Sequence, residues 1–331
     1  MKNINAQKFK YLFKIILMVF LALAFMTSCS LLRRNQIGAD EATNEAADKS
    51  ENTAEEHENW PVELLAEDGK NTISITQKPQ RVLSLSPALT ELSFFFGYGD
   101  RLIGVSDFCD YPEQAKQLEA VGVVSELDIA AVLEMRPDYI IAQEQLLEAE
   151  KELLSFQDIK IIVISPAITL LDIPIMYEKL FLFYAGKYDG QRLADEYNTN
   201  FKNEMQSIND KIPDDNKLKG LYLYGHADIA ATSDFFEGEL LDIIKIDNLA
   251  KNNTNLSYDF SNDEMKNADV LINASTVAVE NFIKSDILEN IKAYKNEKII
   301  NVNSIPIERK SPRMLDEIKK LAENIYSIDI E

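Results

Sequence analysis

The sequence predicts an α/β protein of two Rossmann-like lobes, joined by a long rigid interlobe helix, with a ligand cleft between the lobes. Three observations carry that expectation. From residue 72 short β-branched runs alternate with longer amphipathic ones, the signature of parallel α/β structure. The same order of elements recurs in the second half with little sequence identity. Between the halves, Leu193, Tyr197, Phe201, Met205 and Ile208 keep spacings of four, four, four and three, one apolar stripe on a helix.

Ahead of that body, residues 1–28 carry Lys2, Lys8, Lys10 and Lys14 and no acid, and Ile15–Met26 is a 12-residue apolar run. A basic start, a short apolar core and small residues before a cysteine predict a secretory signal. The run is shorter than the roughly 20 apolar residues of a membrane-spanning helix. Met-Thr-Ser-Cys at 26–29 resembles a bacterial lipobox, which implies cleavage before Cys29 and lipid attachment to it. An ordinary signal peptide or an uncleaved anchor is the alternative. Residues 29–60 are acidic and poor in apolar side chains, which predicts a disordered tether. A lipid and a tether would place the body outside the cytoplasm, close to a membrane.

Loss of residues 1–28 moves the formal charge from −21 to −25, which excludes nucleic acid as a partner. With Cys29 lipidated, Cys109 has no internal disulfide partner.

In the first lobe, expected over residues 61–188, Thr72–Ile75 and Arg81–Leu85 read as strands. Ser86-Pro87 suits an N-cap with proline at the first helical position, opening a helix through Phe96. Leu102–Val105, Asp138–Ile141 and Ile159–Ile164 read as further strands, and Ile129–Met135 as a short helix. The stripe predicts the interlobe helix over 189–212, about 30 Å or longer. The second lobe, over 213–331, repeats the order with strand Leu221–Tyr224, helix Phe236–Ile244, and strands Val270–Asn273 and Lys298–Val302. Ser311-Pro312 reads as a second cap-and-proline pair, opening a helix to about Tyr326.

Ligands of open α/β sheets bind beyond the carboxyl ends of the strands. Ser86, the loop GVSDFCDYP at 104–112, and Gly225-His226 fall at such ends. Phe108 and Tyr111 would offer flat apolar faces to a bulky guest, or else cap the lobe's own core. Cys109 reads as a small, half-buried thiol.

The segment KPQRVLSLSPALTELSFFFGYGDRLIGVSDFCDYPEQAKQLEAVG, then RPDYIIA, FEGELLDI, DEMKNADVLI and NEKIINVNSIPIERKSPRMLDEIKKLA, resembles the iron-siderophore and cobalamin substrate-binding proteins of ABC importers, over about residues 68–327. The resemblance implies two lobes with little hinge motion and a bulky metal chelate as cargo: a ferric siderophore or haem, with a corrinoid as alternative. Phe108 stands where cobalamin binders have a stacking tyrosine. Two further aromatic positions of that pocket fall near Val124 and Gln143, neither aromatic. Arg309 aligns with an arginine at the pocket mouth. The family's permease-docking acids imply Asp263 or Glu264 in the second lobe. In the first the position falls at Ala130, with Glu126 and Asp128 nearby, and Asp128 is taken as the docking acid. ABC permease and ATPase subunits are the implied partners, and a monomer is expected.

A bare divalent-metal site needs more histidines than the two present, since His57 lies in the tether and His226 stands alone. His226 would contact ligand or haem iron, or serve the fold. No Gly-rich phosphate loop or paired-carboxylate motif is present, and a Cys109–His226 dyad has no third member. Neither an enzyme nor a resident cofactor is expected. The other alternative is a surface interaction protein that reuses the fold without transport.

Overall fold

The computed structural model describes residues 59–65, 72–214, 217–226, 229–254, 256–261 and 263–330. The expected signal, Cys29 and nearly all of the tether lie outside the described residues.

Strands β1 (Val62–Leu65) and β2 (Thr72–Ile75) pair antiparallel. The first lobe is then built on β3 (Val82–Ser84), β4 (Leu102–Val105), β5 (Glu119–Ala120), a small antiparallel pair β6 (Gly122–Val123) and β7 (Glu126–Leu127), and β8 (Tyr139–Ala142) and β9 (Lys160–Val163). Its main sheet is parallel throughout, in the order β5-β4-β3-β8-β9. Helices α1 (Pro87–Phe95), α2 (Ile129–Met135) and α3 (Glu148–Ser155) flank it. Helices α4 (Asp172–Ala185) and α5 (Lys187–Lys211) lead to the second lobe. There β10 (Leu218–Leu223), β11 (Ile246–Asn248), β12 (Val270–Asn273) and β13 (Ile299–Asn301) form a parallel sheet in the order β11-β10-β12-β13. It is served by α6 (Phe236–Ile243), α7 (Ser285–Leu288), α8 (Lys292–Lys295), α9 (Ser304–Glu308) and α10 (Arg313–Tyr326).

Both sheets are buried on two faces, so their strands read as continuous apolar runs, and the pleat sorts alternate residues to opposite sides. Leu83, Ile140 and Ala142 pack on one face of the first sheet; Val82, Tyr139 and Ile141 pack on the other. In the second sheet Leu221 and Leu271 part from Tyr222 and Ile272 in the same way. The faces carrying Val82 and Tyr222 belong to one continuous buried cluster with Tyr177 of α4 and Phe201 of α5. Two lobes that share a core cannot swing apart without opening it.

Helix α5 spans the lobes, about 37 Å at 1.5 Å per residue over its 25 residues. At its start Asn59 Oδ1 accepts the N–H groups of Tyr188 (3.0 Å) and Asp189 (3.1 Å). Further along, Asn209 Nδ2 donates to the Ile243 carbonyl of the second lobe at 2.7 Å. Of the predicted stripe, Phe201, Met205 and Ile208 are buried. The helix is not a lone rod, however: α4 lies against it, with Tyr177 5.2 Å from Tyr197 and 6.2 Å from Phe201, ring to ring. Gly186 joins the pair at φ +88°, where a Cβ would sit 2.6 Å from Asn59 Cβ.

Ser86 caps α1 as predicted, accepting the Leu89 N–H at 3.2 Å. Ser311 does not cap α10. The helix begins at Arg313 with Pro312 at the cap position, because buried Ser311 belongs to the turn after α9, donating its N–H to the Pro306 carbonyl.

Candidate ligand cleft

In the first sheet the chain steps from β3 outward to β4 and β5, then returns to β8 on the other side of β3. The second sheet reverses in the same way between β10 and β12. These switch points leave a crevice at the carboxyl ends of the strands, the usual ligand position in such sheets. Ser86, after β3, and Gln143, after β8, meet at the first: Ser86 Oγ donates to Gln143 Oε1 at 2.6 Å. Ser86 is buried, so it fixes the floor of the crevice rather than its rim. At the second lie Gly225 and exposed His226. Gly225 has φ +80°, and a Cβ there would sit 2.2 Å from Ser275 Oγ, so only glycine lets the loops after β10 and β12 approach this closely.

The loop after β4 turns Cys109 inward. Its sulfur accepts from Thr90 Oγ1 at 3.1 Å and lies 3.2 Å from Ser106 Oγ. The thiol is buried, not half-buried, because that polar nest seats it beneath the loop. Its neighbour Phe108 is turned out and 68% exposed, so the ring does not cap the core. Tyr111 is also exposed, but one ring face is covered by the Arg313 guanidinium, 3.6 Å from the ring centroid. Val124 is half-buried against the Leu83 face of the first sheet, and Gln143 is half-buried between Ser86 and Met176. A wider pattern supports the cleft. The exposed apolar side chains Phe108, Leu147, Ile168, Val277 and Ile305 follow the carboxyl ends of β4, β8, β9, β12 and β13 respectively.

The lobes meet in an ionic clasp. Glu91 of α1, 2% exposed, accepts two bonds from Arg313, 2.6 Å from Nε and 2.7 Å from Nη2. Arg309 Nη1 reaches the same carboxylate at 3.4 Å, while its Nη2 pairs with Asp110 at 2.7 Å. Deeper in the second lobe Lys310 Nζ bonds Glu237 at 2.5 Å, both nearly buried, and the other Glu237 oxygen accepts from Tyr224 at 3.2 Å. Tyr177 of α4 donates to the Lys310 carbonyl. Burial alone would raise the Asp110 carboxyl, but the hydrogen bond and charge of Arg309 outweigh it and hold it below the ordinary carboxylate range. The sequence-based reading found Arg309 but missed Glu91, Glu237, Lys310 and Arg313. Their visible signals were the lone acid inside the apolar helix PALTELSFF, the first of three acids in FEGELLDI, and the run of cations at 309–313.

The expected docking acids are dispersed. Asp128 is exposed and caps α2, accepting from the N–H groups of Ala130 (3.0 Å) and Ala131 (3.1 Å). Asp263 and Glu264 are exposed on a short 3-10 turn before β12, with Asp263 paired to Lys266. A cavity of about 580 Å³ is lined by Glu280, Glu289 and Glu297 among others, and one of about 340 Å³ by Trp60 and Tyr98 among others; Phe108, His226 and Arg309 line neither.

Comparison with known proteins agrees with this architecture. The family described as periplasmic binding protein matches residues 82–306. The uncharacterized ABC transporter substrate-binding lipoprotein YvrC of Bacillus subtilis is 25% identical over 86% of this chain and 91% of its own length. A vitamin B12-binding protein of Vibrio parahaemolyticus is 25% identical over 78% of this chain and 94% of its own. Among solved structures, the heme-binding HutB of Vibrio cholerae superimposes with a TM-score of 0.63 at 18% identity, covering 75% of this chain and 99% of that one. The vitamin B12-binding BtuF of Vibrio cholerae gives 0.57 at 21% identity, covering 75% and 96%.

Proposed function

The chain belongs to the periplasmic binding protein family, and on that premise we propose that it is the lipid-anchored substrate-binding protein of an ABC importer, capturing a bulky metal chelate between its lobes. The observation that carries this reading is that exposed apolar side chains follow the carboxyl ends of five parallel strands, in two sheets that each have a topological switch point and share a core. Phe108 offers a flat face to the guest, with Tyr111 beside it and His226 on the second lobe. Ser86 and Gln143 form the floor, and Arg309 holds the mouth. No covalent step occurs: cargo is captured, and the loaded protein docks on a permease through Asp128 on one lobe and Asp263 or Glu264 on the other. The lipid on Cys29 keeps the body at the membrane surface outside the cytoplasm, and the YvrC relationship supports that anchor.

A ferric siderophore or haem is the first cargo class. A corrinoid is the second, supported by the vitamin B12-binding relative. The test is the melting temperature of the purified protein against haem, cobalamin and several ferric siderophores. A ligand at 100 times its dissociation constant adds about 2.7 kcal/mol, a rise of about 5 °C for a chain of this size. A saturable rise with one class is expected. A folded protein that responds to none of them would overturn the reading.

A further inference from the structure

A polyanionic cargo needs unpaired cations, and the stretch from Arg309 to Arg313 carries three cationic side chains: Arg309, Lys310 and Arg313. All three are engaged by carboxylates. Arg313 is held by both oxygens of Glu91, Arg309 by Asp110 and more distantly by Glu91, and Lys310 by Glu237. The positive and negative charges of these groups cancel. The strand-end loops add exposed acids, Asp107 after β4 and Glu144 after β8. A guest entering past Phe108 therefore meets a mouth that is neutral to negative.

Within the clasp Asp110 differs from the other carboxylates. Glu91 and Glu237 are buried, so their pairing belongs to the fold. Asp110 is 58% exposed at its side chain and lies two residues from Phe108, whose carbonyl accepts from the same Arg309 nitrogen at 3.4 Å. Of the three clasp carboxylates it is the exposed one.

We infer that Asp110 is a charge filter: by neutralising Arg309 it makes the cleft select bulky metal chelates of zero or positive net charge over polyanionic ones, which among the proposed cargoes favours a ferric hydroxamate or a corrinoid over haem with its two ionised propionates. The inference rests on the cleft being the cargo site. A polyanion would have to break the Arg309–Asp110 pair or lie against Asp110 and Asp107, and like-charge apposition costs affinity in a desolvated site. An uncharged chelate needs neither, and draws its binding from the apolar faces alone.

The experiment is equilibrium titration of the full chain with three probes: a ferric tris-hydroxamate, cyanocobalamin and a trianionic ferric tris-catecholate. The wild-type protein should bind a hydroxamate or the corrinoid and bind the trianion at least about tenfold more weakly. Asp110→Asn, which keeps the shape and removes the charge, should raise affinity for the trianion about tenfold and leave the uncharged probe within about threefold. Asp110→Glu should restore the discrimination. Two results would overturn the filter while leaving the cleft in place: wild-type preference for the trianion, or an Asp110→Asn variant that shifts both classes equally. A folded wild-type chain that binds no probe would overturn the cleft reading itself, and the filter with it.

Discussion

Replacing Glu91 by alanine should be the most damaging single change to the clasp between the lobes. The carboxylate is 2% exposed and holds Arg313 through bonds of 2.6 and 2.7 Å, with Arg309 at 3.4 Å. Removing one member of a buried ion pair costs about 3–5 kcal/mol, because the remaining charge keeps its desolvation penalty. Here relief is available: the Arg313 side chain is 28% exposed and can turn toward water, and Arg309 keeps Asp110. The expected loss is therefore about 2–4 kcal/mol. At about 2 °C per kcal/mol for a body of this size, the melting temperature should fall about 4–8 °C. Alanine preserves helix α1, so the loss reports the clasp and not helix propensity. Differential scanning calorimetry of Glu91→Ala, Arg313→Ala and the double variant would close a thermodynamic cycle, with a coupling of about 1–3 kcal/mol expected. A fall under about 2 °C, or strictly additive single effects, would refute a bridge between α1 and α10.

Phe108→Ala should weaken cargo binding at least tenfold while shifting the melting temperature by less than about 2 °C, since a ring so exposed contributes little to folding; calorimetry beside ligand titration separates the two. Tyr177→Phe removes the donor to the buried Lys310 carbonyl and should cost about 1–3 kcal/mol in denaturant unfolding. Burial would raise the Asp269 carboxyl, but the Lys219 N–H and the Lys292 ammonium outweigh it and hold it below its ordinary range. Its stabilisation is thus present above the unfolded value of about 3.9 and is lost as pH falls through the lower folded value. Acid unfolding of Asp269→Asn should lack that component. Asp128→Asn keeps an oxygen to cap α2 while removing the charge, so it should leave the melting temperature within about 1 °C yet weaken association with the permease.

The parallel strands were legible because burial on both faces demands β-branched runs such as Tyr139–Ala142 and Val270–Asn273. Helix α5 was legible through its single stripe, and α1 through Ser86-Pro87. Helix α4 was missed because DIPIMYEKLFLFYA is apolar on most of its surface, packed between α5 and both lobes, and shows no stripe. Strands of two residues such as β5, β6 and β7 fall below any pattern. The strand-end position of Phe108 and His226 followed from the loop chemistry. The clasp could not be read, because Glu91 and Arg313 are 222 residues apart in the chain and their pairing exists only once both lobes have formed.

Cargo held between the switch points of the two sheets can be located directly. Anomalous diffraction at the absorption edge of the cargo's own metal, from crystals grown with the chelate that raises the melting temperature, locates it directly. One anomalous peak is expected in the interlobe cleft, flanked by Phe108 on one lobe and His226 on the other. A peak beside Trp60 and Tyr98, in the acidic cavity near Glu280, or anywhere outside the cleft would contradict it.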